Sequence, residues 1–382
     1  SGSFVKLLTA IVAWRSMEDG SLHLDARVGE HIEELQSSEI GTEVRIQHLL
    51  SHSSGYQDLS LWHRDFRLKC HWSTLVDHLR STPLLFKPGS TFSYSDTGYV
   101  LLAELLERAL GKPIEVLIRR YAIEGFGLSH DANTTQLPHH VLDPATRQFV
   151  ISGPMPRNDF WNRSISPVSL RLSELLDVGA SLKAGRNHSL TDHSLLARMT
   201  EICIPIPRTT GNFLNGRNPV ACGQGCLIYD NGLIGADGPM YGQLCSLRID
   251  PQFDLVMAIG FTAHVPGMRD LVVDSLIGSL KQSSGTAPQS GSRFPDLTAD
   301  DLAGKYVGPI GFEPVVSIYG KDVLVELVNT FTRDRTTVLM SRDESGEWVV
   351  QGDSGPLVLG FFQEHISGVP CFLINLGAYR KI

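Results

Sequence analysis

Ser3 and Lys6 stand three residues apart at the start of the chain, in the run Gly2-Ser3-Phe4-Val5-Lys6. On a helix, side chains at (i, i+3) share a face and can touch. A lysine amine beside a serine hydroxyl can hold or take its proton, which a serine nucleophile requires. No other lysine of the chain has a serine three residues before it. Two common residues meet at this spacing often, so the pair also reads as an N-cap serine and a surface lysine.

The element that must position the pair runs from Phe4 to Met17. Apolar residues at 4, 5, 7, 8, 11, 12 and 14 form a helical stripe, Ser3 can cap it, and Gly20 follows its end. The expectation is a helix buried on one face. Its free N-terminal N–H groups favour negative charge developing at Ser3. Tyr99 to Leu110 is a second helix closed by Gly111, and Pro113 opens a third. Pro88-Gly89 marks a turn before Thr91-Phe92-Ser93-Tyr94-Ser95-Asp96. Residues 130–170 are polar and aperiodic, a long irregular insertion of the kind that borders sites.

From Gly225 the pattern turns to strands at 226–229, 243–249 and 255–261, and Arg269 to Leu280 reads as a closing helix. Helices first and an antiparallel sheet later give an α+β layered domain over residues 1–282. A small-residue linker at 283–293 leads to short strand-like pieces across 294–382, a second domain that is all-β and barrel-like.

The bulk properties exclude several classes. The chain has 382 residues, 42% hydrophobic and 19% charged, which suits a soluble two-domain enzyme. A net charge of -8 without a basic block argues against nucleic acid. No apolar run approaches bilayer length. The six cysteines are spread thinly. Cys222 and Cys226 lie four apart without a second pair, so they read as buried apolar residues rather than metal ligands. Such usage favours a reducing compartment such as the cytoplasm. No cofactor is implied. The chain begins in mid-motif, so further residues are expected before Ser1.

Four landmarks in order raise the standing of the opening pair. Gly2-Ser3-Phe4-Val5-Lys6 is followed by Ile46-Gln47-His48-Leu49-Leu50-Ser51-His52-Ser53-Ser54-Gly55. Next come Phe86-Lys87-Pro88-Gly89 with Phe92 to Tyr99, and then Ala221 to Asp250. Together they resemble the serine β-lactamase and penicillin-binding-protein superfamily, in its class C β-lactamase, D-peptidase and esterase branch. Leu302-Ala303-Gly304-Lys305-Tyr306 resembles the start of the lipocalin-like domain that follows many of these enzymes. The resemblance implies an antiparallel sheet flanked by helices plus an all-helical lobe, and an N-terminal family segment missing from this sequence. It also implies that Ser3 attacks a carbonyl, that Lys6 activates it, and that Tyr94 carries the proton to the leaving group. It explains His48 and His52 as structural rather than as metal ligands.

The departures from the pattern are specific. Asp96 stands where the family usually has Asn; an ionised carboxylate only accepts hydrogen bonds and would hold Lys6 protonated. Aligning Gly238 and Gly242 places Ala236-Asp237-Gly238 on the third motif, which lacks its cation. Pro239 falls where the family supplies an oxyanion N–H, and proline has none. Asp96, Asp237, Gly238 and Tyr56 are the candidate substrate-binding residues; Trp62, His63 and Trp72 are further candidates for the cleft wall.

The sequence therefore leads to an acyl-serine hydrolase or acyltransferase acting on an ester, thioester or amide of a small molecule or peptide. One alternative is a thioesterase that releases or cyclises a nonribosomal peptide. Another is a degenerate member that binds a ligand or does other acid–base chemistry. The oligomeric state is open.

Overall fold

The structure, a computed structural model, describes residues 2–59, 70–129, 140–142, 148–151, 168–184, 194–207, 219–240, 242–263, 268–281, 297–308, 312–329, 333, 335–342, 348–351, 359–363, 370–374 and 377–382. The linker at 283–293, Trp62, His63 and most of the 130–170 stretch lie outside the described residues. Within that stretch, β1 (His140–Leu142) and β2 (Phe149–Ile151) form a short hairpin.

Helix α1 (Val5–Glu18) is buried on all sides, not on one face as its stripe suggested: Val5, Leu8, Ala10, Ile11, Val12 and Ala13 are 0% exposed. The stripe counted only large apolar residues. Thr9, Ala10, Ala13 and Ser16 make the other face, and they are small enough to pack. The Thr9 and Ser16 hydroxyls donate to the carbonyls of Val5 at 3.1 Å and Val12 at 2.8 Å, so neither needs water. Helix α2 (Trp72–Ser81) lies on the periphery, and α3 (Asp96–Leu110) packs against α1.

Helix α3 starts three residues before the expected Tyr99, because Ser95 caps it and accepts from the Gly98 N–H at 2.9 Å. Asp58, fully buried, secures this cap. It accepts from the Ser95 hydroxyl at 3.2 Å and from both the Thr97 N–H and hydroxyl at 2.9 Å.

The first large sheet has the order β3 (Ile204–Pro205), β4 (Pro219–Cys222), β5 (Leu227–Tyr229), β6 (Ile234–Met240), β7 (Gln243–Asp250), β8 (Leu255–Phe261), every pair antiparallel. Pairing fixes its faces. Ala236, Gly238, Cys245 and Leu247 lie on one face, with α1 and α4 (Leu172–Ala184); Asp237, Ser246, Arg248 and Met257 lie on the other, with α6 (Met268–Lys281). Helix α5 (Leu195–Glu201) adjoins the β3 end. The sheet is thus the middle of three layers, as an α+β reading requires.

The C-terminal residues form an eight-stranded antiparallel sheet, curled as a half-barrel. Its order is β13 (Trp348–Val350), β12 (Arg335–Arg342), β11 (Asp322–Asn329), β10 (Phe312–Tyr319), β9 (Gly304–Val307), β16 (Gly377–Lys381), β15 (Pro370–Ile374), β14 (Leu359–Gln363). Alternation along β11 buries Val323, Val325 and Leu327 at 0% exposure in a separate core. Arg380 on β16 donates to the Leu85 carbonyl of the helical part at 3.3 Å. Of the cysteines, Cys70, Cys222 and Cys226 are buried as expected, whereas Cys203 is exposed. Among the described residues, no helix is long and apolar enough to cross a membrane.

Gly225 sets how closely α1 meets the sheet. Its φ is +102°, and a Cβ there would stand 2.1 Å from the Ala10 Cβ. Gly225→Ala must therefore push α1 away as well as strain the turn. The expected cost is at least about 2 kcal/mol in urea unfolding; an unchanged midpoint would contradict this close approach.

Candidate active site

Ser3 lies in a single 3-10 turn, Gly2–Phe4, that leads directly into α1, so its hydroxyl does not cap the helix as expected. It is turned toward Lys6 instead. The Lys6 ammonium donates to the Ser3 Oγ at 3.2 Å and pairs with Asp96 at 2.7 Å. Its Nζ stands 5.1 Å from the Tyr94 ring centroid and 5.8 Å from that of Tyr99. The two landmarks separated by ninety residues of sequence thus meet where the start of α1 crosses the start of α3.

Burial governs the electrostatics of this cluster. Lys6 is 4% exposed and Asp96 5%. Burial opposes the charge on Lys6, but Asp96, and then Tyr94, outweigh it and raise the amine above its ordinary value. Burial also raises the Tyr94 phenol. The Lys6 cation and hydrogen bonds from Lys6 and Ser3 favour the phenolate, whereas the Asp96 charge opposes it. At neutral pH the cluster therefore rests as ammonium, carboxylate and phenol.

The Ser3 turn lies against the edge of β6. A Cβ on Gly2, whose φ is +54°, would fall 2.9 Å from the Gly238 carbonyl group and from the Pro239 oxygen. The β5–β6 hairpin tells which way the peptide groups of that edge point. Tyr229 N–H donates to the Leu233 carbonyl at 2.9 Å, and Leu227 pairs with Gly235. Backbone groups alternate, so those of Gly235, Asp237 and Pro239 point toward the β5 side. The described β5 pairs reach only Gly235, leaving the peptide edge at 237–239 outside that ladder. Proline is tolerated at such an edge. Its consequence is that residue 239 offers a carbonyl and no N–H on the side where the Ser3 turn sits.

Gly238 is thus brought to the Ser3 turn. The Asp237 side chain points the other way. It pairs with Arg248 at 2.9 Å and Arg269 at 3.0 Å, and accepts from the Tyr229 hydroxyl at 2.8 Å and the Ser246 hydroxyl at 2.5 Å. Burial works against its charge, but the two guanidiniums hold the carboxyl well below the usual range. Tyr56 is 2% exposed within the main core, and burial raises its phenol. Trp72 on α2 donates to Glu34 at 3.0 Å beneath the Arg108 guanidinium. Arg108 lies twelve residues along α3 from Asp96, about 18 Å at helical rise. Trp72 therefore belongs to a different part of the surface.

Two residues matter more than their sequence context suggested. His52 stacks on Tyr94, with ring centroids 4.3 Å apart, and Asp58 fixes the start of α3. Asp58 carries no spacing signal of its own; only its place beyond the Gly55 landmark sets it apart. His48 accepts from the Arg45 N–H at 3.1 Å, a bond that closes the start of its own short helix. Among the described residues, no group of three or more His, Cys, Asp or Glu could hold a metal ion.

Comparisons with known proteins bear on the fold and the family. Over 350 residues the chain is 26% identical to penicillin-binding protein 4 of Amycolatopsis lactamdurans, covering 84% of each. A putative D-alanyl-D-alanine carboxypeptidase of Escherichia coli is 28% identical over 123 residues, so the match spans 30% of this chain and 28% of that one. Among solved structures, SurE superposes with a TM-score of 0.71 at 22% identity, covering 100% of this chain and 87% of that one. A D-stereospecific amidohydrolase from Streptomyces superposes at 0.56 with 18% identity, covering 75% and 86%. At these identities the superpositions establish the fold. Residues 1–279 match the Beta-lactamase family from the Ser3 turn through most of α6, and the chain belongs to that family.

Proposed function

We propose that the chain is an acyl-serine enzyme with Ser3 as nucleophile and Lys6 and Tyr94 in the proton-transfer roles. The observation that carries this reading is the buried Lys6 ammonium, shared between the Ser3 Oγ at 3.2 Å and Asp96 at 2.7 Å beside the Tyr94 ring. Asp96 holds Lys6 charged, which suits the amine to orienting and stabilising rather than to taking a proton. The base role then falls to the Tyr94 phenolate. It takes the Ser3 proton as Oγ bonds to the substrate carbonyl carbon, and returns it to the leaving group as the old bond breaks. Water, an amine or an alcohol then resolves the acyl-enzyme. Because the phenol is raised by burial, acylation should quicken as pH rises toward 10.

Two features narrow the substrate. No cation stands at Ala236, so a free carboxylate beside the reacting carbonyl finds no partner there, which favours esterase or acyl-transfer activity over carboxypeptidase activity. The edge at Pro239 lacks an N–H, and one missing oxyanion donor costs about 2.7–4 kcal/mol of transition-state stabilisation. The Ser3 N–H, at the start of a helical turn, remains as a donor. Solved relatives include SurE with D-Leu and a D-stereospecific amidohydrolase. We therefore extend the proposal to acyl groups carrying a D-configured residue. A peptide cyclase is the form of acyl transfer in which the acceptor is the substrate's own amine. Pro239 and Ala236 also favour the second reading, a site that binds but does not turn over.

Labelling with a fluorophosphonate, followed by intact mass and peptide mapping, separates these readings. The expected result is one adduct on Ser3, absent in Ser3→Ala and slowed at least a hundredfold in Tyr94→Phe. An unlabelled wild type beside a reactive control hydrolase would instead support the binding-only reading. With paired D and L aminoacyl esters, the D form should acylate faster; equal rates would remove the stereochemical part.

Asp96 raises both Lys6 and Tyr94, so Asp96→Asn lowers both. The base form of either group is then populated at lower pH. The rising limb of the labelling rate should move toward lower pH by about one unit or more. A limb at the wild-type position would leave Asp96 a tether without influence on the proton transfer.

A further inference from the structure

We infer that His52 is a positioning residue for Tyr94: it grips the backbone on both sides of the tyrosine and covers the tyrosine ring with its own. The Ser93 N–H donates to the His52 carbonyl at 2.8 Å, and the Ser95 N–H donates to the His52 Nδ1 at 3.0 Å. Between these two bonds, the imidazole stacks on the Tyr94 ring at 4.3 Å with 28° between the planes. One residue thus fixes the chain before Tyr94, the chain after it, and one face of its ring.

The backbone of His52 is shaped for this. Its φ is +52°, a left-handed conformation uncommon for a residue with a side chain. Outliers of this kind persist where the surroundings over-determine them, and here both hydrogen bonds and the stack do so. His52 is 5% exposed and is boxed by Tyr99 at 4.9 Å and the edge of Phe92 at 6.0 Å. Because Nδ1 accepts, the proton of the neutral ring sits on Nε2. Burial, with the Lys6 cation nearby, pushes the imidazole down to about 3, so it remains a neutral platform across the working range.

The groups facing Tyr94 come from several elements. Lys6 and Ser3 approach from the start of α1, Asp96 and Tyr99 from α3, and His52 from the segment after Ile46–Leu50. The Cys222 thiol of β4 belongs to the apolar cluster behind the ring, and burial keeps it protonated. Of these groups, only His52 bonds the backbone on either side of Tyr94. By stacking on the partly buried ring it shields one of its faces, which adds to the burial that raises Tyr94.

The inference rests on Tyr94 acting with Ser3, but its test reads Tyr94 itself. His52→Asn is the informative variant. Asparagine tolerates the left-handed conformation, and its amide oxygen can still accept from the Ser95 N–H, but it has no ring. With tyrosine labelled at 13Cζ and Tyr94 assigned from Tyr94→Phe, the Tyr94 phenol should titrate at least about one unit lower in His52→Asn than in the wild type. Fluorophosphonate labelling of Ser3 should slow at least tenfold, and its rising limb should move down with the phenol. His48→Asn, made at the histidine that bonds Arg45, should leave the Tyr94 titration in place. His52→Gln serves the same test if the asparagine variant does not fold. An unmoved Tyr94 titration in a folded variant overturns the inference. A moved titration in a protein whose wild type is never labelled at Ser3 leaves His52 as the Tyr94 platform and overturns the nucleophile instead.

Discussion

The buried ion pair between Lys6 and Asp96 is the interaction on which the site depends. It joins the first turn of α1 to the first turn of α3. Two charges held at 2.7 Å and almost without solvent need each other: separating them by removing one leaves the other buried and unpaired, a loss of about 3–5 kcal/mol. The pair therefore fixes distance and orientation between two helices that also supply the hydroxyl of Ser3 and the backbone leading out of Tyr94. What surrounds it serves the same end. Asp58 and Ser95 settle where α3 begins, and so where Asp96 points. The small residues of α1 let that helix sit deep between the sheet and α3, which places Lys6 in the dry layer rather than on the surface.

A second constraint comes from the sheet. Strand β6 carries opposite chemistry on its two faces. Toward α6, Asp237 is held by Arg248, Arg269, Tyr229 and Ser246, and Asp270 pairs with Arg269 at 2.7 Å, so that two carboxylates balance two guanidiniums. Toward the Ser3 turn the same strand presents Ala236 and Gly238, with no charge at all. The strand is pinned from behind and bare in front. In front, the proposed recognition falls to the peptide edge, and Pro239 removes one donor from that edge. The resulting surface accepts hydrogen bonds better than it donates them.

How much of this was legible in the sequence depends on range. The helix spacing of Ser3 and Lys6 is local, and the landmark order carried Tyr94 and Asp96 to them across ninety residues. The α+β layering was legible because the periodicity changes at Gly225. Side-chain facing was harder to read. Asp237 sits in the right motif, but a strand sends alternate residues to opposite faces, and only the pairing with β7 tells that 237 faces α6. Tyr56 and Trp72 were candidates as aromatics near a landmark, but burial and the Glu34–Arg108 contacts are tertiary facts. Ser3 was expected to cap its helix, since local propensity favours that use; the chain instead enters α1 through the Gly2–Phe4 turn, and the hydroxyl accepts from Lys6 one turn on. His52 carried a motif but no visible role, because stacking on a residue 42 positions away leaves no trace in spacing.

In the proposed mechanism, Asp96 and Pro239 act on opposite ends of the same reaction coordinate. Asp96 sets how readily the proton leaves Ser3, because it stabilises the ammonium and disfavours the phenolate. Pro239 sets how well the oxygen of the tetrahedral intermediate is held once Ser3 has attacked. A loss at either end raises the same barrier, and the missing donor alone is worth about two to three powers of ten in rate. An amide, with a poor leaving group and a stable carbonyl, is least able to absorb such a loss. Esters and thioesters start from a more reactive carbonyl and need less help from either end. Among the proposed acyl donors, the geometry therefore ranks the activated ones ahead of amides. The proposed preference for a D-configured residue then concerns the shape of the acyl group rather than the bond that breaks.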